Sequence, residues 1–422
     1  MQKDTIAIHT GYDKKNGNGE MAIPISQTTA YAFRDSEHAA NLFGLKELGS
    51  IYTRLTNPTT DIFEQRYAQL ENGAAALATA SGASAIFYAI ANIAEAGDNI
   101  LISDKLYGGS VTLFHFTLKR FGISVKTFKS DDANDLESLV DDKTKGIFFE
   151  SLSNPQIAIP NIEKIVEVAK KYGIITICDN TVATPYLFNP ISWGVDIVVH
   201  STSKYTSGNG TALGGVIVER DGLADFFKQN SERYPHFTTP DASYHGLVYT
   251  DVPLPNFCLR VRLSLLRDIG ATPAPFNSWL LIQSLETLSI RVEKHSSNAL
   301  KIAEFLKSHP KVKSVNYPGL KDDKYFTKAQ KYFKNGLASG LISFEVSSFE
   351  EAKKVIDSAK LFSVVVNIGD SKSLIVHPAS TTHSQLSEEE LKNAGVSPVT
   401  IRLSIGLEDS VDLIEDLNQA LV

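Results

Sequence analysis

From Asp61 onward the chain alternates short apolar runs with helix-length stretches, and that alternation narrows the possible folds more than any other feature. The apolar runs are "AALATA", "NILIS", "SVKTF", "KGIFFE", "IITICD", "DIVVHS" and "GGVIVE". Between them lie segments such as "SAIFYAIANIAEAG", "GGSVTLFHFTLKRFG" and "NIEKIVEVAKKYG". Strands separated by helices of that length imply right-handed crossovers and a mostly parallel sheet covered on both faces. The last run differs, because only a glycine-rich turn separates "DIVVHS" from "GGVIVE". A parallel crossover needs about a dozen residues. The strand "GGVIVE" is therefore expected to run antiparallel.

Outside this region the pattern changes twice. Residues 1–60 are rich in Gly, Asn, Thr and Pro, with little periodicity, and read as an extended N-terminal arm. Residues 61–275 form the large α/β domain, which ends in a loosely patterned aromatic stretch, "RYPHFTTPDASYHGLVYTDVPLPNF". A long helical run begins near Phe276, in "PFNSWLLIQSLETLSIRVEKHSSNALKIAEFLKSH". It opens a smaller α+β domain over 276–422, with strands near "VKSVNY", "LISFEV", "SLIVHP" and "VTIRLSIG".

Composition excludes several classes of protein. A net charge of −7 argues against a nucleic-acid or anionic-membrane surface. No apolar run approaches membrane-spanning length, and "MQKDTIAIHTGYD" lacks the apolar core of a signal peptide. The 2 cysteines, Cys178 and Cys258, provide no disulfide framework or thiolate metal site. There is no H-E-x-x-H and no paired His/Cys spacing, so no metal is expected. A cytoplasmic location is expected.

In open α/β sheets ligands bind beyond the carboxyl ends of the strands. There stand Ser81 and Gly82, Asn154, Asp179, and the cluster Ser201, Thr202, Ser203 and Lys204. Ser81 is either a plain helix cap or part of an anion site formed by first-turn amides. Asp179 either caps the next helix or faces a cation. Lys204 is either a solvated loop charge or a nucleophile. If the two strands are neighbours, Asp179 and the lysine loop lie roughly 5 Å apart, the span of a small heteroaromatic ring. A carboxylate at one end of such a ring and an amine at the other match what pyridoxal phosphate requires. Tyr107 follows "NILIS", where it could stack on a planar ligand. Tyr52 and Arg54 lie on the arm, and Arg402 is a lone cation in a β pattern, either paired structurally or holding a carboxylate.

Two other motifs fail. Ser201 to Lys204 fits S-x-x-K, but S-D-N and K-T-G are absent and a strand precedes it. The "GNGTALGG" turn misses both the dinucleotide and the P-loop patterns.

The motifs "YTRLTNPT", "ASGASA", "YGGS", "SNP", "DNTVATP", "HSTSKY", "GGVIV", "HPASTTH" and "IRLSIGLED" occur in that order. Together they resemble the Cys/Met-metabolism group of pyridoxal-phosphate enzymes, whose fold is aspartate-aminotransferase-like (fold type I), with a mostly parallel seven-stranded sheet. The branch most resembled is that of the O-acetylhomoserine sulfhydrylases, through "SYHGLVY" and "NIGDSKSLIVHPASTTH". The resemblance implies that Lys204 is the Schiff-base lysine and proton shuttle, and that Tyr107 stacks on the ring and shares in catalysis. It implies that Asp179 pairs with the ring nitrogen and that Thr181 lies in the cofactor shell. Gly82, Ala83, Ser201 and Ser203 would hold the phosphate. Tyr52 and Arg54 would reach the phosphate of a neighbouring subunit, with Tyr52 also near substrate, in a homotetramer built as a dimer of dimers. Arg402 and Asn154 would hold the substrate carboxylate. The implied reaction converts an amino-acid ester, O-acetylhomoserine, and sulfide to homocysteine. A cystathionine γ-synthase, a methionine- or cystathionine-type γ-lyase, and a non-catalytic pyridoxal-phosphate-binding protein are the alternatives. The sequence departs from the family pattern at Ser203, where threonine is commoner, at Val182, and at Asn367, where the lyases often have serine.

Overall fold

The computed structural model describes residues 1–15, 19–381 and 397–422. The large sheet uses the seven runs read from the sequence: β1 (Ala75–Thr79), β2 (Asn99–Ser103), β3 (Ser124–Phe128), β4 (Thr144–Glu150), β5 (Ile175–Asp179), β6 (Ile197–Ser201) and β7 (Gly215–Glu219). Their order is β1-β7-β6-β5-β4-β2-β3. β2 pairs parallel with β3 and β4, and β4 with β5, as the helical crossovers require. β7 runs antiparallel to β1, with Ala75 opposite Glu219, as its short approach turn predicts. The C-terminal strands are β8 (Ser314–Asn316), β9 (Leu341–Glu345), β10 (Ser363–Val364), β11 (Leu374–Val376) and β12 (Thr400–Ser404). They form a five-stranded sheet in the order β10-β11-β12-β9-β8.

The chain folds into two compact units. The first comprises Met1–Ile93, Val199–Ser203 and Ala212–Glu286. Its central helix, Pro58–Leu70, starts on Asn57, whose side chain accepts the amides of Thr59 and Thr60, with proline at the first helical position. Phe63 and Tyr67 from this helix are buried. Arg66, also buried, donates to the carbonyls of Ala7, Ile8 and Thr10. It thus satisfies carbonyls at the end of the short helix Lys3–His9, which would otherwise lack partners.

The second unit comprises Ala94–Val198, Lys204–Thr211 and Thr287–Val422. The amphipathic helix Ile162–Tyr172 buries Ile165, Val166 and Ala169 and ends on Gly173 at φ 61°, the left-handed stop that glycine takes without strain. Phe344, Ile375, Ile401 and Leu403 from the five-stranded sheet pack with Ile302, Leu306, Leu413 and Leu417 from the helices Leu288–Ser308 and Ser410–Ala420. Every residue of β12 is buried, Arg402 included. An arginine there must be satisfied by partners rather than by solvent. Among the described residues no helix is long and apolar enough to cross a membrane.

Candidate active site

In the first unit the helix Gly82–Ala91 begins directly after β1. Ser81 caps it, accepting the Ser84 amide at 3.1 Å, while the Ser84 hydroxyl accepts the Ser81 amide. The plain capping role weighed for Ser81 is therefore present. Gly82 and Ala83 supply the helix's first-turn amides, which point with the positive end of the dipole. A Cβ on Gly82 would stand 2.5 Å from Ser201 Cβ and 2.8 Å from its Cα, so only glycine allows the helix start to meet the end of β6. Ser203 is committed to the glycine-rich turn. Its hydroxyl accepts the Gly214 amide at 3.0 Å and donates to the Gly214 carbonyl at 3.2 Å. A Cβ on Gly214 would meet Thr202 Oγ1 at 2.5 Å, so close approach explains this glycine as well. On the arm, the Arg54 guanidinium lies 5.1 Å from the Tyr52 ring centroid, and both side chains are exposed.

In the second unit Asp179 ends β5 and accepts the Thr181 amide at 2.9 Å, a turn-forming contact of the kind short acids make. Its register partner on β4 is Glu150. The Glu150 carboxylate is buried, and it accepts the backbone amides of Tyr107 at 2.7 Å and Asn154 at 3.3 Å. Burial, and then the charge of Asp179, pushes its carboxyl well above the usual range. Asn154 Oδ1 accepts from Arg402 Nη1 at 3.2 Å, and Arg402 Nη2 donates to the Asn367 carbonyl at 2.8 Å. The Asn367 side chain accepts from Lys204 Nζ at 2.8 Å. A continuous hydrogen-bonded path thus runs from Tyr107 through Glu150, Asn154, Arg402 and Asn367 to Lys204.

Two features of this path are chemically active. Lys204 is held below the ordinary lysine value by burial and then by the Arg402 charge, which raises the share of free amine able to act as nucleophile or base. Arg402 is lowered to about 10 by burial, and its buried Nε has no hydrogen-bond partner among the described residues. A buried, unsatisfied guanidinium N–H is costly in isolation and fits an incoming anion. Five residues singled out from the sequence (Tyr107, Asn154, Asp179, Lys204 and Arg402) thus stand in one unit, with Thr181 beside Asp179. Two members of the path, Glu150 and the side chain of Asn367, were not foreseen as partners. The only local signal for Glu150 was an acid ending "KGIFFE", as an aspartate ends "IITICD".

Residues 4–422 match the family model described as Cys/Met metabolism PLP-dependent enzyme. The chain belongs to this family. Its PLP-dependent relatives include the O-acetyl-L-homoserine sulfhydrylase of Leptospira meyeri, 47% identical over 100% of this chain and 97% of that one. The homocysteine synthase of Schizosaccharomyces pombe is 45% identical over 99% and 97%. A solved structure from Campylobacter jejuni subsp. jejuni, described as an O-acetylhomoserine (thiol)-lyase with N'-pyridoxyl-lysine-5'-monophosphate, superposes with a TM-score of 0.98 at 55% identity, covering 100% of both chains. Cystathionine gamma-lyase from Lactobacillus plantarum gives a TM-score of 0.84 at 30% identity, covering 100% of this chain and 98% of that one. The fold is the family's fold type I, a mostly parallel large sheet with a smaller C-terminal sheet.

The residues present fit the family cofactor. The helix start at Gly82 leaves no room for a side chain, which suits a phosphate approaching backbone amides. The amine of Lys204 is half-buried and of lowered basicity, and Asp179 offers a carboxylate at a strand end. PLP-dependence thus agrees with the chemistry of the chain's own donors.

Proposed function

We propose that this chain replaces the acetoxy group on the γ-carbon of O-acetylhomoserine with sulfur from sulfide, yielding homocysteine and acetate. The observation that carries the reading is Asn367, which holds the Lys204 amine on its side chain and the Arg402 guanidinium on its carbonyl. A base of lowered pKa and a carboxylate binder share one support, as α-proton removal from an amino acid requires. Full-length relatives named as sulfhydrylases and homocysteine synthases support the choice of substrate.

PLP, when bound, supplies an electron sink conjugated to the substrate's α-carbon. Around it each residue has a separate task. Lys204 holds the cofactor and then moves protons at the α- and β-carbons. Asp179, its carboxylate fixed by the Thr181 amide, would keep a proton on the ring nitrogen, and Tyr107 would pack against the ring. Gly82, Ala83, Ser201 and Ser203 bind the phosphate; Ser203 reaches it by releasing its 3.2 Å bond to the Gly214 carbonyl. Arg402 and Asn154 receive the substrate carboxylate, with the buried Nε–H of Arg402 as one donor to it. The exposed arm pair Tyr52 and Arg54 serves the phosphate of a neighbouring subunit, and Tyr52 lies near that subunit's substrate, in a cytoplasmic homotetramer built as a dimer of dimers.

Incubating PLP-loaded protein with O-acetylhomoserine and either sulfide or cysteine tests the reading. Homocysteine from sulfide, formed faster than any thioether from cysteine, is expected. Preferential formation of cystathionine would reassign the chain to the synthases. Release of an oxo acid and ammonia without a sulfur nucleophile would reassign it to the lyases.

A further inference from the structure

Glu150 has no task in the scheme above, yet two backbone amides, those of Tyr107 and Asn154, meet on its carboxylate. It stands at the end of β4, is 6% exposed, and is register-paired with a second acid, Asp179. Among the described residues no lysine or arginine forms an ion pair with it; burial and the charge of Asp179 raise the cost of its charge, and only the two backbone amides it accepts offset part of that cost. Packing alone would be served better by an apolar side chain of the same volume. What the carboxylate provides is two acceptor oxygens in a fixed relation.

Oε1 takes the amide of Tyr107 and Oε2 the amide of Asn154. Tyr107 opens the five-residue helical turn Gly108–Thr112, and its ring folds back over Gly109. A Cβ on Gly109 would stand 2.5 Å from a ring carbon of Tyr107. The ring's direction is therefore set by its backbone anchor on one side and by the missing side chain of Gly109 on the other. Asn154 carries the constraint onward, because its amide oxygen is the partner of Arg402.

We propose that Glu150 is a positioning residue that places the Tyr107 ring and the Asn154–Arg402 pair in one frame, fixing together the orientation of the bound PLP ring and of the substrate carboxylate. The inference rests on the functional reading above and adds to it the residue that aligns its parts. A glutamine at this position is isosteric and keeps one acceptor oxygen, but turns an N–H₂ toward the second backbone amide.

The test compares wild type and E150Q, each titrated with PLP and followed by visible absorbance and induced visible dichroism. Wild type is expected to give a visible band with dichroism. E150Q is expected to bind PLP about tenfold more weakly, with the dichroism per bound PLP at least halved, because the ring plane is no longer held. A merely structural role would lower the melting temperature without changing dichroism per bound PLP. Dichroism and affinity within about twofold of wild type would overturn the proposal. If E150Q does not fold, E150D replaces it: the carboxyl group is kept, the reach to both amides is lost, and the same loss of dichroism is expected. If neither variant folds, Glu150 is structural and the proposal falls. A wild-type protein with no visible band would instead overturn the PLP reading itself.

Discussion

The groups proposed for the phosphate, in the first unit, are backbone amides and small hydroxyls; those around Lys204, in the second, are side chains that carry charge. Gly82 and Gly214 matter through the volume they lack, and neither needs desolvation. Glu150, Lys204 and Arg402 are displaced from their ordinary acidities, chiefly by burial. The difference teaches how each region fails. A cradle made of backbone is damaged by added volume, since its donors cannot be mutated away. A centre made of buried charges is damaged by loss of geometry even when charge is conserved, because each group was desolvated for specific partners.

Arg402→Lys probes the second half of that contrast and should have the largest effect. The charge survives, but the fork that spans Asn154, Asn367 and an incoming carboxylate does not. The expected outcome is a KM for O-acetylhomoserine raised about 30- to 100-fold, from losing charged hydrogen bonds worth roughly 2–3 kcal/mol. Wild-type KM in the lysine variant would show that charge alone suffices and that the two regions do not differ in kind. Gly82→Ala probes the first half. Its methyl would meet Ser201 Cα, a backbone atom that cannot swing aside. The expected cost is about 1–3 kcal/mol of stability, with weakened PLP binding. A variant with wild-type melting and PLP affinity would mean that the close approach at Ser201 is not required.

The same contrast explains what was legible in the sequence. The seven strands stood out because parallel strands buried on both faces read as continuous apolar runs, and the direction of β7 followed from turn length alone. Gly82 and the Ser201–Lys204 cluster stood out as candidates because the groups proposed for the phosphate and for the amine lie in short contiguous stretches at strand ends. The centre of the second unit was only partly legible. Lys204 and Asn367 are 163 positions apart, and no local pattern announces their contact. Glu150 gains its role from the register of β4 against β5 and from the Tyr107 amide, both products of tertiary folding. The long run from Phe276 was expected as one helix, yet it divides into Pro275–Leu285 and Leu288–Ser308. No glycine or proline marks the break at Glu286–Thr287, so composition gave no warning. The strand β10 was missed because two exposed residues carry no periodicity.

The last expected effect, read only as a trend with pH, concerns a buried acid in the first unit, away from the cradle. Glu219 ends β7, is buried, and accepts the Cys258 amide at 2.7 Å. Burial pushes its carboxyl up to about 8, whereas in the unfolded chain it titrates near 4.3. Between those values the folded protein keeps a proton that the unfolded chain has lost, so this group makes stability fall as pH rises from about 4 to 8 and then level off. Below about 4 both states are protonated and the contribution vanishes. Glu219→Gln removes the titration while keeping the shape. The difference in melting temperature between variant and wild type, measured on PLP-saturated protein at a fixed PLP concentration, should grow in the variant's favour by a few degrees from pH 5 to pH 8. Parallel curves across that range would show that Glu219 does not titrate there. The first unit would then owe none of its pH response to this acid, and its contrast with the charge-built second unit would be sharper still.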